Sequence, residues 1–428
     1  MATEPILPGD KSIAHRALLL SAMASGRSRI RGLPASADVR STLDALRRLG
    51  VRIERREGEG EGEVTVHASG SGGWQSPAGA IDCGNSGTTA RLLTGALASS
   101  GAVATLDGDA SLRARPMRRV TEPLRAAGAV IRELGEPDRL PHRVTGGALS
   151  SIRHRSGVAS AQVKSALLLA GAGAGVPVEV SEPERSRDHT ERMLQAMGME
   201  VRGAAGAEGW TVRAEPARLA ALDVTVPRDV SAAAFLLAYA LLGGAPVRLE
   251  GVGVNPTRTG FLDVAAAMGG VVEVEPDADA SGGEPTATLA AAPASLRAVE
   301  AGPAGNARLI DEIPILAVLA ARAEGESRLR GLGELRVKES DRLSALAANL
   351  RVVGVQAEEQ GDDLVVRGTD RPLQGRVRAF GDHRIAMAFA VLGALDGNRI
   401  EVDDMSVCDV SFPGFERALR AVAAGARR

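Results

Sequence analysis

The feature that most constrains how this chain can fold is an internal repeat. Six times along the sequence, a short polar or glycine-rich cluster precedes an Ala/Leu-rich segment, at intervals of roughly seventy to eighty residues. A glycine turn, a Val/Ile-rich segment, a second segment of mixed polarity and further strand-like stretches then follow. This order predicts six α/β units. The six clusters are Gly9-Asp10-Lys11-Ser12, Gly84-Asn85-Ser86-Gly87-Thr88, Ser160-Ala161-Gln162, Arg228-Asp229-Val230-Ser231, Ile310-Asp311-Glu312 and Gly381-Asp382-His383-Arg384.

The two helices predicted in each unit differ in polarity. The first, for example residues 14–24, is apolar nearly all round, and such a helix is expected to be buried. The second, for example residues 38–49, has a mixed polar face and is expected nearer the surface. Six such units predict two domains of three units each, with the chain crossing between them near residues 226–231.

Charge and composition exclude several classes of protein. The chain has 51 basic and 53 acidic residues and a net charge of -2, which gives no long-range attraction to nucleic acid or anionic membranes. Its longest apolar stretch, residues 232–247, is broken by glycine and proline and is too short to span a bilayer. Cys83 and Cys408 have no metal-ligand spacing. Because the N-terminus lacks the apolar region of a signal peptide, we expect a cytoplasmic location.

The use of lysine is more informative than the total charge. Among 51 basic residues, the only lysines are Lys11, Lys164 and Lys338. Lysine is compact and can release its proton, so an arginine-rich chain is expected to keep lysine where those properties matter. Chance can explain any one of these lysines. All three lie in polar clusters, however, which favours a functional interpretation.

Each predicted first helix begins at a cluster that could bind an anion. Helix N-termini present unpaired N–H groups and a partial positive charge. The alternative is simple N-capping by a side chain of the cluster. Because capping does not require the cations and the amide found just inside several helices, we expect several anion pockets facing one cleft. The expected caps are Asp10, Ser12, Asn85, Ser160 or Ser231, and the additional groups are Lys11, Arg16, Arg91 and Gln162.

Later helix starts contain candidates for acid–base chemistry. Asp311 and Glu312 precede an apolar run at residues 313–321, so partial burial could raise the pKa of Asp311. Alternatively, both carboxylates only complement the helix dipole. His383 could equally be a structural histidine in its turn. From the residues alone, the chain is a two-domain repeat protein with a basic cleft for phosphorylated or carboxylated small molecules.

Taken together, the clusters resemble those of the EPSP synthase family over the full length of the chain. Two of the motifs, at residues 160–165 and 187–190, resemble those of the bacterial branch. The matching segments are Leu7-Pro8-Gly9-Asp10-Lys11-Ser12 with Arg16, Gly84-Asn85-Ser86-Gly87-Thr88 with Arg91, Arg115-Pro116-Met117, Ser160-Ala161-Gln162-Val163-Lys164-Ser165, Arg187-Asp188-His189-Thr190, Arg336-Val337-Lys338-Glu339-Ser340-Asp341-Arg342 and Asp382-His383-Arg384.

This resemblance implies a two-domain enolpyruvyl transferase fold, an inverse α/β barrel with six βαβαββ repeats, three in each domain. The N-terminal domain would comprise residues 12–228 and the C-terminal domain residues 1–11 plus 229–428, with hinges near 11–12 and 226–231. The family transfers the enolpyruvyl group of phosphoenolpyruvate to the 5-hydroxyl of shikimate 3-phosphate, in aromatic amino acid biosynthesis, and requires no metal or organic cofactor. The resemblance also implies a monomer that glyphosate inhibits at the phosphoenolpyruvate site.

The same resemblance assigns roles by position. Lys11 and Asp311 would transfer protons at the substrate hydroxyl, Glu339 would exchange the C3 proton, and His383 would support it. The contacts implied for shikimate 3-phosphate are Lys11, Ser12, Arg16, Ser160, Gln162, Arg187, Asp311 and Lys338. Those implied for phosphoenolpyruvate are Lys11, Gly87, Arg115, Gln162, Arg342 and Arg384.

Departures from the commonest family pattern occur at Val410, Glu334 and Ala161, and they resemble the second bacterial class. They bear on the strength of inhibition more than on the reaction. An alternative of the same fold is the UDP-N-acetylglucosamine enolpyruvyl transferase, which has a reactive cysteine or aspartate where this chain has Ala110. A second alternative is a non-catalytic anion-binding scaffold. The residues that argue against a scaffold are Lys11, Asp311, Glu339 and Arg384.

Overall fold

The computed structural model describes residues 7–56, 62–207, 209–278 and 282–425, and these form two compact units. The N-terminal unit contains residues 9–226 and 282–284, and the C-terminal unit contains residues 7–8, 227–278 and 285–425. The domain bounds expected from the sequence stay a prediction. Residues 1–6, which were expected to belong to the C-terminal domain, lie outside the described ranges.

The described part of the N-terminal unit alternates helices with short strands. Its helices are α1 (Lys11–Met23), α2 (Ala37–Arg48), α3 (Gly87–Ala98), α4 (Ala110–Arg113), α5 (Arg118–Ala126), α6 (Ala161–Ala174) and α7 (His189–Ala196). Its strands are β1 (Ser25–Leu33), β2 (Arg52–Arg56), β3 (Gly62–Ser69), β4 (Ile81–Asp82), β5 (Val103–Asp107), β6 (Val130–Glu133), β7 (His142–Thr145), β8 (Ile152–Arg155), β9 (Val178–Glu182), β10 (Val201–Gly206), β11 (Gly209–Ala214) and β12 (Asp223–Thr225).

These strands form three sheets of the same design. Their orders are β12-β1-β3-β2, β4-β5-β7-β6 and β8-β9-β11-β10, each with one parallel pair and two antiparallel pairs. In the first sheet the parallel pair is formed by β1 and β12, the last strand of the unit, with Arg29–Arg31 paired to Asp223–Thr225. The last strand of the unit therefore completes the sheet of its first repeat.

The C-terminal unit repeats this arrangement. Its helices are α8 (Val230–Leu241), α9 (Gly260–Ala267), α10 (Ile313–Arg322), α11 (Arg342–Val352), α12 (His383–Gly393) and α13 (Phe415–Gly425). Its strands are β13 (Val247–Gly253), β14 (Val272–Pro276), β15 (Thr286–Ala291), β16 (Glu300–Ala301), β17 (Glu326–Leu329), β18 (Gln356–Gln360), β19 (Asp363–Arg367), β20 (Gln374–Val377) and β21 (Arg399–Val402).

Its three sheets are less regular than those of the N-terminal unit. Their orders are β13-β15-β14, β16-β17-β19-β18 and β20-β21. The first has no fourth strand among the described residues, but a single parallel bridge from Arg228 to Val252 occupies the equivalent edge. One sheet accompanies each repeat predicted from the sequence, and the predicted α/β repeat is confirmed.

The first helix of each repeat lies in the core of its unit. Helices α1, α3 and α6 are almost wholly buried in the N-terminal unit, as are α8, α10 and α12 in the C-terminal unit. Such burial is expected, because small and aliphatic residues surround these helices on every face. Each begins at one of the predicted polar clusters, so the clusters lie at the ends of the core. Along the described ranges, no helix combines the length and apolarity needed to cross a membrane.

Candidate active site

Five of the six buried helices begin at a side chain that caps the backbone. The exception is α10, where Glu312 occupies the cap position without making a capping bond. The predicted caps were right for Asp10 and Ser160 but wrong for Ser12, Asn85 and Ser231. The observed caps, each accepting a first-turn N–H, are Asp10, Ser86, Ser160, Asp229 and Asp382.

In the N-terminal unit, α1 presents two of the predicted cations. Lys11 Nζ lies 3.0 Å from Asp38 Oδ2 at the start of α2. Arg16 is buried, and its guanidinium donates to Thr190 Oγ1 and to Ser165 Oγ, both at 2.9 Å. Lys11 is thus paired with one carboxylate near the surface, whereas Arg16 connects α1 to the starts of α6 and α7.

His15, between these two cations on α1, is buried and neutral. Burial lowers its pKa to about 3, and the charges of Lys11 and Arg16 lower it in the same direction. Its Nδ1 lies 2.7 Å from Thr42 Oγ1, at the start of a buried hydroxyl chain. His15 therefore adds no positive charge beside Lys11 and Arg16, the two side chains of α1 that are expected to contact anions.

The start of α3 gathers several of the groups assigned to phosphoenolpyruvate. Arg91 Nη1 donates to Gln162 Oε1 at 2.9 Å, and Gln162 Nε2 donates to Thr88 Oγ1 at 3.0 Å. A Cβ at Gly87 would lie 2.7 Å from Arg91 Nη1 and 3.4 Å from Arg115 Nη1. The structure therefore brings Gly87, Gln162 and Arg115 together around one helix start.

Arg115 is held in place by a neighbouring polar group. Its Nη2 donates to Asn85 Oδ1 at 2.6 Å and to Ser111 Oγ at 3.1 Å. Asn85 Nδ2 also donates to Asp109 Oδ2 at 2.7 Å, so both ends of the amide are engaged away from the helix backbone, and its acceptor oxygen faces Arg115. The side chain expected to cap α3 instead orients an arginine.

Lys164 occupies a buried ion cluster. Its Nζ donates to Glu182 Oε1 at 2.7 Å and to Ser186 O at 3.2 Å, and lies 2.9 Å from Glu191 Oε1. Burial lowers the pKa of Lys164, but the Glu191 and Glu182 carboxylates outweigh it and the pKa is raised. These contacts favour a structural role for Lys164, which anchors the loop that contains the half-buried Arg187, and the functional interpretation of this lysine stays a prediction.

In the C-terminal unit, Asp311 lies among three cations. Its Oδ1 is 3.4 Å from Lys338 Nζ and 3.7 Å from Arg342 Nη1, and its Oδ2 is 3.8 Å from Arg384 Nη2. The side chain is 15% exposed, so solvent reaches it. The Asp311 carboxylate therefore lies at the centre of the cationic cluster of this unit.

Arg342 is fully buried and bound by carboxylates. Its Nε and Nη2 contact the two oxygens of Asp382 at 2.8 and 3.1 Å, and Nη2 contacts Glu339 Oε2 at 2.7 Å. Burial lowers the pKa of Arg342, but Asp382, Glu339 and Asp311 outweigh it and raise the pKa. Asp382 also caps α12, where the buried His383 is the first residue. One carboxylate thus fixes both the arginine and the start of α12.

Arg384 and Glu312 complete this cluster. Arg384 Nη1 donates to Asp311 O at 2.8 Å and lies 3.7 Å from Glu312 Oε1. Ser231 Oγ donates to the same Glu312 oxygen and accepts from Arg258 Nη2 at 2.6 Å. The structure therefore brings Asp311, Glu339 and the predicted cations of this unit together.

Sequence reasoning missed the carboxylates that hold these cations. Asp38, Asp382 and Glu312 were not assigned to the site, although Asp382 and Glu312 directly precede or follow assigned residues. Asp38 pairs with a lysine 27 positions away, and Asp382 with an arginine 40 positions away. No local sequence signal indicates such pairs. In the described ranges, no group of His, Cys, Asp or Glu side chains could hold a metal ion.

Comparison with known proteins gives a consistent result. The family model of EPSP synthase (3-phosphoshikimate 1-carboxyvinyltransferase) matches residues 3–419. A 3-phosphoshikimate 1-carboxyvinyltransferase of Gluconobacter oxydans is 47% identical over 98% of this chain and 95% of its own length. The EPSP synthase structure from Acinetobacter baumannii is 38% identical, with a TM-score of 0.83 over 98% of this chain and 95% of that one.

A more distant structure shares the fold. The enolpyruvyl transferase NikO from Streptomyces tendae superposes with a TM-score of 0.75 over 99% of this chain and 95% of that chain, at 21% identity. These matches confirm the predicted two-domain enolpyruvyl transferase fold. They do not favour the alternative of a UDP-N-acetylglucosamine enolpyruvyl transferase.

Proposed function

The chain belongs to the EPSP synthase family and catalyses 3-phosphoshikimate 1-carboxyvinyl transfer, and on that premise we propose which of its side chains perform the reaction. The observation that supports the assignment best is the position of Asp311 among Lys338, Arg342 and Arg384. A carboxylate among cations suits a reaction between two multiply anionic substrates, because it can accept a proton while the cations neutralise their charge.

Shikimate 3-phosphate is proposed to bind mainly at the starts of α1 and α6. Lys11 is near the surface and paired with one carboxylate, so an incoming phosphate can compete for it. Gln162 bridges Arg91 and Thr88, and its amide can reorient toward a substrate hydroxyl. The full proposed set is Lys11, Ser12, Arg16, Ser160, Gln162, Arg187, Asp311 and Lys338.

Phosphoenolpyruvate is proposed to bind where the arginines are held in fixed orientations. Arg115 is fixed by Asn85, Arg342 by Asp382, and Arg384 by the backbone oxygen of Asp311. Preorganised guanidinium groups suit bidentate contacts to carboxylate and phosphate, because little side-chain freedom is lost on binding. The full proposed set is Lys11, Gly87, Arg115, Gln162, Arg342 and Arg384.

Proton transfer is proposed to use two carboxylates, Asp311 and Glu339, that lie on either side of Arg342. Asp311, with Lys11, accepts the proton of the substrate 5-hydroxyl as its oxygen adds to C2 of phosphoenolpyruvate. Glu339 delivers a proton to C3 and removes one when phosphate leaves, and its 2.7 Å contact with Arg342 fixes its direction. His383, buried at the start of α12, supports this second step. For the atoms to balance, Glu339 starts protonated, gives its proton to C3 and regains one from C3 as the C2–O bond to phosphate breaks, while the hydroxyl proton held by Asp311 passes to the departing phosphate.

Phosphate release measured with both substrates tests the assignment. Parent protein should release phosphate with shikimate 3-phosphate and phosphoenolpyruvate, but not when UDP-N-acetylglucosamine replaces shikimate 3-phosphate. Asp311→Asn and Glu339→Gln should each abolish most of the release while retaining substrate binding. Full activity in either variant would contradict the proposed role of that carboxylate.

Three finer properties follow from the same assignment. Glyphosate, a phosphonate and carboxylate anion, is proposed to compete with phosphoenolpyruvate for Arg115, Arg342 and Arg384. A monomeric state and a cytoplasmic location are proposed with it. Size-exclusion chromatography with light scattering tests the first of these two properties, and cell fractionation tests the second.

A further inference from the structure

The C-terminal unit contains a buried carboxylate to which the reaction assigns no role. Glu312 is 1% exposed, and it precedes α10 without capping that helix. An ionised group in the interior is costly unless cations or hydrogen-bond donors compensate for it. The surroundings of Glu312 therefore indicate what it does.

The partners of Glu312 form a continuous chain between two arginines. Its Oε1 accepts from Ser231 Oγ, whose own oxygen accepts from Arg258 Nη2 at 2.6 Å. On the other side, Arg384 Nη1 lies 3.7 Å from the same carboxylate oxygen. Arg258 is 2% exposed and also lies 3.6 Å from Asp229 Oδ1. Glu312 is thus connected through the Ser231 hydroxyl to one buried arginine, Arg258, and lies beside a second, Arg384.

This chain lies where the three buried helices of the unit begin. Ser231 is the second residue of α8, Glu312 immediately precedes α10, and Arg384 is the second residue of α12. Each helix start bears a partial positive charge, so a carboxylate at their junction is favourable to all three. A negative charge here also holds the guanidinium of Arg384 on the side of α10.

Arg384 is consequently fixed through two groups of the residues that immediately precede α10. Its Nη1 donates to Asp311 O at 2.8 Å and faces Glu312 Oε1, which leaves its Nη2 directed toward Asp311 Oδ2 at 3.8 Å. We propose that Glu312 is a positioning residue for the reaction: it orients Arg384 for phosphoenolpyruvate, with Ser231 and Arg258 holding it in place. This inference rests on the proposed assignment of Arg384 to phosphoenolpyruvate.

The substitution Glu312→Gln removes the charge and keeps an oxygen that accepts from Ser231. The KM for phosphoenolpyruvate should rise roughly 10- to 100-fold, which is about the loss of affinity expected when one charged hydrogen bond to the ligand is weakened. The KM for shikimate 3-phosphate should change less than about threefold, since Arg384 is not among its proposed contacts. A purely structural role would instead lower the thermal midpoint while leaving the ratio of the two KM values unchanged.

A matched control and a second variant keep the test decisive. Glu284→Gln neutralises a carboxylate that is equally buried, 2.7 Å from His189 in the N-terminal unit, and should leave both KM values at the parent level. Ser231→Ala removes the hydroxyl that connects Glu312 to Arg258 and should raise the KM for phosphoenolpyruvate in the same direction, by less. If Glu312→Gln does not fold, a parental KM in Ser231→Ala overturns the proposal.

The variant Arg384→Gln distinguishes failure of the assignment of Arg384 to phosphoenolpyruvate from failure of the positioning role of Glu312. If it leaves the KM for phosphoenolpyruvate unchanged, the assignment of Arg384 fails and the role of Glu312 fails with it. If Arg384→Gln raises that KM while Glu312→Gln leaves it at the parent value, the positioning role alone is overturned. Parallel rises after both substitutions, with shikimate 3-phosphate unaffected, are the expected result.

Discussion

Replacing Gly87 by alanine tests the steric account of the phosphoenolpyruvate site. Gly87 is the first residue of α3, and its φ lies outside the positive range, so alanine is compatible with the backbone. An interpretation of Gly87 as a turn residue that requires positive φ is therefore wrong. The new methyl carbon would lie 2.7 Å from Arg91 Nη1 and 3.4 Å from Arg115 Nη1.

The contact distances set the expected magnitude. Arg91 can move away because its guanidinium is the end of a flexible side chain, but the movement breaks its 2.9 Å bond to Gln162. The methyl group then narrows the space beside Arg115. Forcing an extra methyl into packed surroundings costs about 1–3 kcal/mol, and each 1.4 kcal/mol is about tenfold in affinity. Glyphosate is longer than phosphoenolpyruvate, so most of this cost should fall on the inhibitor.

The assay compares the inhibition constant of glyphosate with the KM for phosphoenolpyruvate in both proteins. We expect Gly87→Ala to raise the inhibition constant roughly 10- to 100-fold more than the KM, with little change in thermal midpoint. Gly157→Ala is the matched control, because a Cβ there meets no atom within 4 Å and the residue is exposed. Equal losses for inhibitor and substrate, or an alanine variant no more tolerant than the parent, would refute the steric reasoning.

Three further outcomes are expected. Asp311→Asn should fold and lose roughly two to four orders of magnitude in kcat, the usual contribution of a positioned acid or base; near-normal turnover in steady-state assays would contradict its role. Lys338→Arg should lower kcat although it keeps the charge, because a guanidinium can bind Asp311 through two donors and compete with the substrate hydroxyl. Unchanged kcat and KM would contradict the inference that this position requires a lysine. Burial lowers the pKa of His142 to about 4. Between pH 6.5 and pH 4 the unfolded state therefore binds more protons than the folded state. As the pH decreases through this range, the free energy of unfolding should decrease by up to about 1.4 kcal/mol per pH unit. Urea titrations should show a shallower fall for His142→Gln, and an unchanged slope would show that His142 is not responsible.

The sequence alone was sufficient for the features that depend on neighbouring residues. A helix cap requires only two or three positions, so Asp10 and Ser160 could be recognised before any tertiary structure was known. Burial of α1 and α8 follows from residues that are apolar on every face of the helix. The six repeats follow in the same way from local patterns that recur along the chain, whereas the enolpyruvyl transferase fold and the family were implied by the resemblance of the motifs to a known family.

The choice between adjacent polar residues needed the tertiary structure. Asn85 and Ser231 are good capping residues by type, yet Ser86 and Asp229 cap instead. The reason is that Asn85 contacts Arg115, 30 positions away, and the hydroxyl of Ser231 contacts Glu312, 81 positions away. Which distant group comes within hydrogen-bond reach of these side chains is a property of the folded chain, and neighbouring residues do not determine it.

Long-range packing decided most charge contacts of the site, although Arg342 also pairs with Glu339 only three positions away. Lys164 resembles a functional lysine in sequence, but the fold surrounds it with Glu182 and Glu191. Asp311 precedes an apolar run in sequence, and the fold places three cations beside it that lie 27 to 73 positions away. Charge interactions act through space over a few ångströms, and the sequence does not determine which charges come that close until the helices are packed together.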